Sequence, residues 1–363
     1  MKKIAYLMGN FGIGGAEVST LTLLNGFVKL GYLVDLVLAY GSKVEWDKQC
    51  DFNIIKLQLD KYKKHPLRHI ILKNKLDKFS EKSKYDAILT AQTSKSWEKI
   101  LNQLDKKHNI SYIIRNSFTK KRIDKNDNLL LKSFKRKYLA NMYRNKNIIC
   151  VSKGVYNDLV KNIGIKSDSI ITIYNPFDTN YILNKSKEHF NLPVDDYIIH
   201  VGRFDIRHKR QDILLKAYKK ANLKEKLILL GEGSGQQYLE KLIDELQLNG
   251  KVILHPMVTN PYPLIKNAKL LVLSSDYEGL PRALIEALIL KTPVVSTNCE
   301  SGPSEILTGE LADFLVPTGD VDAFTEKMQQ ALRSYPKIKD EYIKKFEQLN
   351  VCRQYIEFLG LNS

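Results

Sequence analysis

Two carboxylates, Glu278 and Glu286, stand on either side of a short Gly-Leu-Pro segment. Gly279 frees the backbone there, and Pro281 suits the first position of a helix. The amide N–H groups of residues 279–282 would then point at an anion, because the first amides of a helix have no partner within it. Carboxylates accept hydrogen bonds strongly, which suits them to sugar and ribose hydroxyls. The segment predicts an anion site with a hydroxyl-binding carboxylate on each side.

Basic side chains follow an earlier apolar run, in residues 202–210. Gly202 lets the backbone turn close to a ligand, Arg203 can bind a phosphate through two parallel hydrogen bonds, and Lys209 can add a point charge. A further glycine turn at residues 231–233 follows the next apolar run and carries a weaker signal. These segments predict a phosphate-binding site in the second half of the chain.

The first half has its own glycine-rich turn, which contains Gly14 and Gly15. Its spacing differs from the Gly-x-Gly-x-x-Gly of dinucleotide-binding folds, and Asp35 lies inside the second predicted strand rather than at its end. The turn is therefore either another close approach to a phosphate or a plain tight turn between a strand and a helix.

Short apolar runs that alternate with helical stretches must position these loops. Such runs are typical of parallel sheets covered on both faces. The pattern restarts after Pro176, since Asn175-Pro176 and Leu192-Pro193 interrupt regular structure. The predicted strands cover residues 4–8, 33–39, 53–57, 86–90, 111–114 and 148–150, then 197–201, 227–230, 252–254, 270–274 and 294–296. We therefore expect two doubly wound α/β units with ligands at the carboxyl ends of their strands.

Together these features resemble the GT4 family of retaining glycosyltransferases, and the matches extend from the first strand to about residue 330. The motifs that carry the resemblance are Glu278-x7-Glu286, Gly202-Arg203 with Lys209, Gly14-Gly15-Ala16-Glu17, Val151-Ser152-Lys153 and Asn175-Pro176. The resemblance implies the GT-B fold, with two Rossmann-like domains that face each other across a cleft. We expect a basic acceptor-binding domain at 1–178 and a nucleotide-sugar-binding domain at 179–345. A C-terminal helix at 346–363 would cross back to the first domain.

The resemblance also implies a role for each matched residue. Arg203, Lys209 and Glu278 would form the catalytic set: the two cations neutralise the leaving nucleoside diphosphate in place of a metal, and Glu278 binds the donor sugar. Glu286 would bind the ribose hydroxyls. The remaining donor contacts would come from Gly14, Gly15, Gly202, Gly279, Leu280 and Met257. No metal and no other cofactor is expected beyond the nucleotide-sugar substrate.

One position departs from the family pattern. Many GT4 members have a histidine near the end of a strand in the first domain, where it contacts the donor sugar. In this chain the segment reads Ile114-Arg115-Asn116-Ser117. Either Asn116 or Arg115 would therefore supply the contact to sugar or acceptor. No residue is a convincing protein nucleophile, and the retaining mechanism proposed for this fold needs none.

The net charge of this 363-residue chain is +17, and all of it lies in the first half. Residues 1–180 contain 33 Lys+Arg and 16 Asp+Glu, whereas residues 181–363 contain 24 of each. The basic segments 61–84 and 120–146 also carry apolar residues at near-helical spacing, which predicts amphipathic helices that lie on anionic lipid. Alternatively, their apolar faces pack on the sheet and the charges face water.

The composition argues against a membrane-spanning protein, a metal-binding protein and a disulfide-rich protein. No apolar run approaches the 18 or so residues of a membrane span, and the four cysteines have no metal-binding or disulfide-framework spacing. The resemblance implies a UDP-hexose or UDP-N-acetylhexosamine donor, with GDP-mannose left open, and a lipid-linked, lipopolysaccharide or capsule saccharide as acceptor. We expect a cytoplasmic enzyme on the inner face of the plasma membrane, with no nucleic-acid partner. The alternatives are a nucleotide-sugar epimerase on the same fold and, because of the charge, a nucleic-acid-binding protein.

Overall fold

The protein forms two compact units in the computed structural model, which describes residues 1–12, 14–40, 50–62, 65, 67–91, 101, 104–105, 109–123 and 126–362. The first unit comprises Met1–Phe177 and Phe346–Ser363, and the second comprises Asp178–Lys345. Each is built on its own parallel sheet, so the predicted α/β class is correct.

The sheet of the first unit has seven parallel strands. They are β1 (Lys3–Met8), β2 (Leu33–Leu38), β3 (Asn53–Lys56), β4 (Ala87–Thr90), β5 (Ile110–Ile114), β6 (Asn147–Cys150) and β7 (Ile170–Thr172). Their spatial order is β3-β2-β1-β4-β5-β6-β7, which is the Rossmann order with one added strand. Every residue of β5 is buried, as expected for a strand covered on both faces.

Helices of the first unit connect these strands, because parallel strands need crossover connections rather than tight hairpins. They are α1 (Gly15–Lys29), α2 (Arg68–Ser83), α3 (Phe118–Arg122), α4 (Leu129–Met142) and α5 (Lys153–Asn157), the last continued by a π-helical turn at Asp158–Ile163, with a 3₁₀ turn at Asp60–Tyr62. Ser117 caps α3, Asn128 caps α4 and Ser152 caps α5, each by accepting a hydrogen bond from the third amide of its helix.

The sheet of the second unit has six parallel strands. They are β8 (Tyr197–Val201), β9 (Lys226–Leu230), β10 (Val252–His255), β11 (Leu270–Leu273), β12 (Val294–Thr297) and β13 (Leu315–Val316). Their order, β10-β9-β8-β11-β12-β13, reverses direction between β8 and β11. In an open α/β sheet a ligand binds at such a reversal, beyond the carboxyl ends of the strands.

Eight helices surround this second sheet within the described residues. They are α6 (Thr179–Lys185), α7 (Ile206–Lys209), α8 (Gln211–Ala221), α9 (Gln236–Glu245), α10 (Tyr262–Asn267), α11 (Arg282–Ile289), α12 (Pro303–Ile306) and α13 (Val321–Arg333), with 3₁₀ turns at Gly309–Phe314, Asp340–Tyr342 and Lys344–Phe346. Helices α8 and α13 bury Leu214, Phe324 and Met328 against the sheet. Asp320 caps α13 by accepting hydrogen bonds from the amides of Asp322 and Ala323.

The last helix, α14 (Gln348–Phe358), belongs to the first unit and packs against α1. Phe27 and Tyr355 meet edge to face with their ring centroids 6.0 Å apart. Gln348 donates to the carbonyl of Thr22 at 2.6 Å. A Cβ atom on Gly26 would lie only 2.4 Å from Cys352 Sγ, so glycine is what allows the two helices to approach this closely.

The two basic segments differ in how they use their apolar residues. Within 61–84, α2 buries Leu72 and Leu76, so this helix fits the alternative of packing on the sheet. Within 120–146, α4 buries Leu139 but leaves most of the apolar side chains of its first turns exposed. The membrane-surface interpretation stays a prediction, and α4 is the helix whose exposed apolar residues it concerns.

Candidate donor site

The phosphate-binding segment predicted after β8 is held in place by the turn after β9. A Cβ on Gly231 would lie 2.0 Å from the carbonyl oxygen of Gly202, and one on Gly233 would lie 2.5 Å from that of Phe204. The Phe204 amide donates to the Glu232 carbonyl at 2.9 Å. Gly231 and Gly233 thus allow the loop after β9 to pack on the loop after β8. The close contact that they permit is with protein backbone rather than with a ligand.

The basic residues of this segment take three different positions. Arg203 is exposed, and no described side chain pairs with it. Arg210 adopts a left-handed conformation at φ 48° and bridges Asp212, at 3.0 Å, and Asp276, at 3.1 Å. Lys209 lies at the end of α7, where Ser274 Oγ donates to its carbonyl at 2.7 Å. Arg210 therefore ties the β8 loop to the β11 loop, while Arg203 stays available to a ligand.

Lys209 and Glu278 form a direct ion pair between these two loops. Lys209 Nζ lies 2.6 Å from Glu278 Oε1, which also accepts a hydrogen bond from Ser275 Oγ at 2.6 Å. Glu278 is 7% exposed. Burial alone would raise its pKa, but Lys209, His208 and the Ser275 hydroxyl hold the pKa below the ordinary value for glutamate. Glu278 is therefore an ionised carboxylate at neutral pH, with a cation held against it.

The segment between Glu278 and α11 is pinned from its far side. Ser301 Oγ donates to the Glu278 carbonyl, and a Cβ on Gly302, whose φ is 95°, would lie 2.5 Å from Pro281 Cδ. Pro281 occupies the cap position just before α11, which corrects its predicted place in the first turn. In the described part of the chain, the amides of Gly279 and Leu280 donate to no acceptor. Two unpaired amides thus stand beside the Lys209–Glu278 pair, as an anion site requires.

Glu286 lies one turn into α11 and is held by its own helix. Its Oε1 accepts hydrogen bonds from Arg282 Nε at 3.1 Å and Arg282 Nη2 at 3.0 Å, and Glu286 is 7% exposed. Met257 follows β10 at the same carboxyl edge of the sheet and is partly buried. The second unit therefore carries all the predicted donor residues except the two from the first glycine turn.

Four predicted site residues lie in the first unit. Gly14 caps α1 in an extended conformation and Gly15 begins the helix. Arg115 follows β5 and turns inward: its Nη2 donates to Thr20 Oγ1 at 2.9 Å and to Tyr6 Oη at 3.1 Å, and its Nη1 donates to the Ala16 carbonyl. Asn116 is partly buried and, among the described residues, has no hydrogen-bond partner. Of the two candidates left open by the sequence, Asn116 is thus the one with free donors and acceptors.

Two histidines near the Lys209–Glu278 pair escaped the sequence analysis. His208 stacks on Tyr277 with centroids 4.1 Å apart, and its Nε2 lies 2.7 Å from the Tyr277 carbonyl. His200, in β8, is completely buried, and neither ring nitrogen has a hydrogen-bond partner among the described residues. Burial, with Lys209 nearby, lowers the pKa of His200 to about 3. Its position directly before the Val-Gly-Arg turn was the available signal.

The described residues contain neither a metal-binding cluster nor a membrane-spanning helix. No group of three or more His, Cys, Asp or Glu side chains is placed to hold a metal ion. No helix among them is long and apolar enough to cross a membrane.

Comparison with known proteins assigns the chain to a class. Residues 13–181 match the family model described as Glycosyltransferase Family 4, and residues 184–348 match the model described as Glycosyl transferases group 1. The two models lie side by side and together cover almost the whole chain. The protein is therefore a glycosyltransferase of the GT4 family, and the predicted fold and enzyme class are confirmed.

Individual relatives agree with this assignment. The chain is 26% identical, over 99% of its length and 100% of the relative, to the N-acetylgalactosamine-N,N'-diacetylbacillosaminyl-diphospho-undecaprenol 4-alpha-N-acetylgalactosaminyltransferase of Campylobacter jejuni. It is 27% identical to the lipopolysaccharide 1,6-galactosyltransferase of Escherichia coli, a match that covers 54% of this chain and 55% of that protein. Its fold is shared by Anabaena HepE, whose structure in complex with UDP and glucose superposes with a TM-score of 0.78 at 18% identity over both whole chains.

Proposed function

We propose that this glycosyltransferase moves a hexose or N-acetylhexosamine from a UDP-sugar to a lipid-linked or lipopolysaccharide saccharide, with retention of configuration and without a metal. One observation carries the proposal: the buried Lys209–Glu278 pair stands beside the unpaired amides of Gly279 and Leu280. Together these groups offer positive potential to a diphosphate and a carboxylate to a sugar hydroxyl. The names of the Campylobacter and Escherichia coli relatives support the acceptor class.

Departure of the nucleoside diphosphate is the step that the cations assist. Negative charge develops on the leaving phosphate as its bond to the sugar lengthens, and positive groups already fixed in place stabilise that charge without reorganisation. Lys209 is fixed by Glu278 and by the hydrogen bond from Ser274 to its carbonyl. Arg203 is the exposed partner that closes on the diphosphate when the donor binds. These two cations do the work that a metal ion does in other transferases.

The carboxylates position the two ends of the donor. Glu278 stays ionised, so it accepts hydrogen bonds from hydroxyls of the transferred sugar. Glu286 is held by Arg282 and accepts from the ribose hydroxyls. In the retaining reaction the acceptor hydroxyl attacks on the face from which the phosphate departs, and a phosphate oxygen takes its proton. The acceptor oxygen gains the sugar, and the products are the glycoside and protonated nucleoside diphosphate.

The acceptor side of the proposal rests on the first unit and its charge. A saccharide carried on a polyprenyl diphosphate or glycolipid lies at a membrane surface, and residues 1–180 hold the whole net charge of +17. Attraction to anionic lipid contributes about 1 kcal/mol for each Lys or Arg near the surface. We therefore propose that the enzyme works as a peripheral protein on the inner face of the plasma membrane.

Transfer assays with paired variants test the donor site. Lys209→Met removes the cation beside the diphosphate, and we expect kcat to fall by about 100-fold or more. Arg207→Met is the matched control, because Arg207 is an exposed cation two residues away on the same helix. Equal activity of Lys209→Met and the unaltered enzyme would refute the assignment.

The donor and the stereochemistry need separate measurements. UDP should raise the melting temperature more than GDP at the same concentration, since a ligand that binds the folded state more tightly stabilises it more. Proton coupling constants of the product should show the anomeric configuration of the donor, and EDTA should leave the rate unchanged. An inverted product, or a rate that only added divalent metal restores, would contradict the proposal.

A further inference from the structure

Helix α4 carries an apolar cluster that the fold leaves uncovered. We name it the α4 tip: Leu129 and Leu130 are each 83% exposed, Leu131 is 41% exposed and Phe134 is 67% exposed. The same helix packs on its unit through Leu139, which is 3% exposed. Clusters of large, exposed apolar side chains mark surfaces that bind a membrane or another protein.

Exposed basic side chains lie on the same helix as the α4 tip and on α3, the helix that precedes it in the chain. Leu130, Phe134 and Lys137 follow one another at four- and three-residue spacing, so they share one stripe of the helix. Arg136, Lys137 and, from α3, Lys120 and Lys121 are exposed. No Asp or Glu occurs between residues 128 and 157. Asp127, which precedes the cap of α4, pairs with Lys135 and so is neutralised.

The other basic helix lacks this combination. Helix α2 turns Leu72 and Leu76 inward and contains the acids Asp77 and Glu81. Its exposed apolar residues are reduced to Ile70 and, just before the helix, Leu67, each at 54%. An apolar cluster without any acidic neighbour along the helix is therefore a property of α4 within the described residues.

We propose that the α4 tip is the membrane-insertion element of the enzyme: Leu129, Leu130 and Phe134 enter the headgroup region of an anionic bilayer while Arg136 and Lys137, exposed on the same helix, bind lipid phosphates. This inference rests on the peripheral membrane role under Proposed function and names the surface responsible. A helix with Leu and Phe on one side and Lys and Arg beside them is the kind that lies in the bilayer interface.

Charge complementarity selects lipid as the occupant. A twofold pairing of two copies through this face would bring two surfaces of the same strongly positive charge together, and like charges repel. An anionic bilayer has an apolar interior, which can accommodate the leucines and the phenylalanine. It also has a dense layer of phosphates, which can bind the basic residues.

Sedimentation with vesicles tests the proposal on the full-length protein. We expect binding to vesicles that contain phosphatidylglycerol and little binding to vesicles of phosphatidylcholine alone. The double variant Leu130→Ser/Phe134→Ser should weaken the partition coefficient by at least about tenfold, since each side chain loses the gain of leaving water. The control Leu183→Ser/Tyr238→Ser removes side chains that are 38% and 50% exposed on the neutral second unit, and should bind like the unaltered protein.

Two further readouts separate this inference from the enzyme's activity. With a short-chain, water-soluble acceptor the Leu130→Ser/Phe134→Ser variant should keep its kcat, because the α4 tip takes no part in chemistry. If the unaltered protein binds vesicles but transfers no sugar, the proposed function fails and the insertion surface stands. Undiminished vesicle binding by the double variant would overturn the inference. The inference would also be overturned if the unaltered protein did not bind vesicles but formed a dimer, and if the double variant were a monomer.

Discussion

Arg115 and Asn116 are neighbours with different tasks. The Arg115 guanidinium reaches under the start of α1, where it donates to Thr20 Oγ1, Tyr6 Oη and the Ala16 carbonyl. These contacts fix the beginning of α1 and with it the glycine turn that precedes it. Asn116 has no partner among the described residues. Arg115 is therefore a positioning residue, and Asn116 is the one of the two candidates whose polar atoms are free for the predicted substrate contact.

Substitutions at the two positions should separate stability from catalysis. Arg115→Met removes three hydrogen bonds that a charged donor makes around the start of α1, so we expect the free energy of unfolding to fall by about 2–3 kcal/mol. Asn116→Ala should leave unfolding unchanged and lower kcat/KM by roughly 10- to 100-fold. Chemical denaturation and initial-rate kinetics check the two effects. A stable Arg115→Met enzyme that has lost only kcat would reverse the assignment.

His200 makes the stability of the protein sensitive to mild acid. Its pKa is lowered to about 3 in the folded state, from an ordinary value near 6.5, because the ring is buried beside Lys209. Below pH 6.5 the unfolded chain binds a proton that the folded chain excludes. Stability is therefore complete above pH 6.5 and is lost as the pH falls toward 3.

The variant His200→Phe should remove this sensitivity. For the unaltered protein we expect the loss to approach about 1.4 kcal/mol per pH unit for this histidine in the window from pH 6 to 4.5, before most carboxylates titrate. The pKa of His208 is also lowered by burial, so the variant should keep a smaller slope from that residue. Denaturation midpoints across this window measure both slopes. Parallel curves for the two proteins would show that His200 titrates normally.

At the scale of elements, the contact between α1 and α14 depends on the missing side chain of Gly26. Gly26→Ala places a methyl group 2.4 Å from Cys352 Sγ and 3.0 Å from Gln348 Cγ. Although alanine favours helices over glycine, overpacking at this contact should dominate and destabilise the first unit by about 1–3 kcal/mol.

A second substitution distinguishes overpacking from other causes. Cys352→Ala removes the sulfur that the new methyl group meets, so it should recover part of the loss in the Gly26→Ala background. Thermal denaturation of the two single variants and the double variant gives the coupling between them. If the losses simply add, the methyl group and the sulfur do not meet.

The longer strands could be predicted from the sequence. The shortest strands, and the contacts that depend on strand order, could not. Mostly apolar runs such as Ile4–Met8 and Tyr197–Val201 marked β1 and β8, because burial on both faces leaves few polar residues in a strand. Strands β7 and β13 contain three and two residues, too few for any period to register. The glycines at 231 and 233 were found, but their contact with the β8 loop depends on strand order, which periodicity does not encode.

The same limit applied to the candidate site. The residue types predicted Arg203, Lys209, Glu278 and Glu286 as ligand-binding groups, because charged residues cluster there after apolar runs. Their pairing was beyond the sequence: nothing in the spacing says that Lys209 meets Glu278 whereas Arg210 meets Asp276. Likewise, helical periodicity could not tell the packed apolar face of α2 from the exposed one of α4.

For the whole molecule, charge and chemistry are divided between the two units. The first half of the chain carries the net charge of +17 and the α4 tip, whereas the neutral second half carries Lys209, Glu278 and Glu286. A net positive charge attracts polyanions over a range that salt shortens. A neutral unit with a few fixed cations instead binds an anion by local geometry. The two units should therefore respond to different ligands.

Hydrogen exchange read by mass spectrometry should show this division. UDP should slow exchange in peptides that cover residues 202–210 and 278–286, because it occupies the amides there and stabilises the loops that carry Lys209 and Glu278. Anionic vesicles should instead slow exchange in peptides of α3 and α4, and raising the salt concentration should weaken only that second effect, since exposed charges are screened more than buried ones. UDP protection confined to the first unit, or equal salt sensitivity of both responses, would mean that the basic half holds the donor and that its charge serves the nucleotide rather than the membrane.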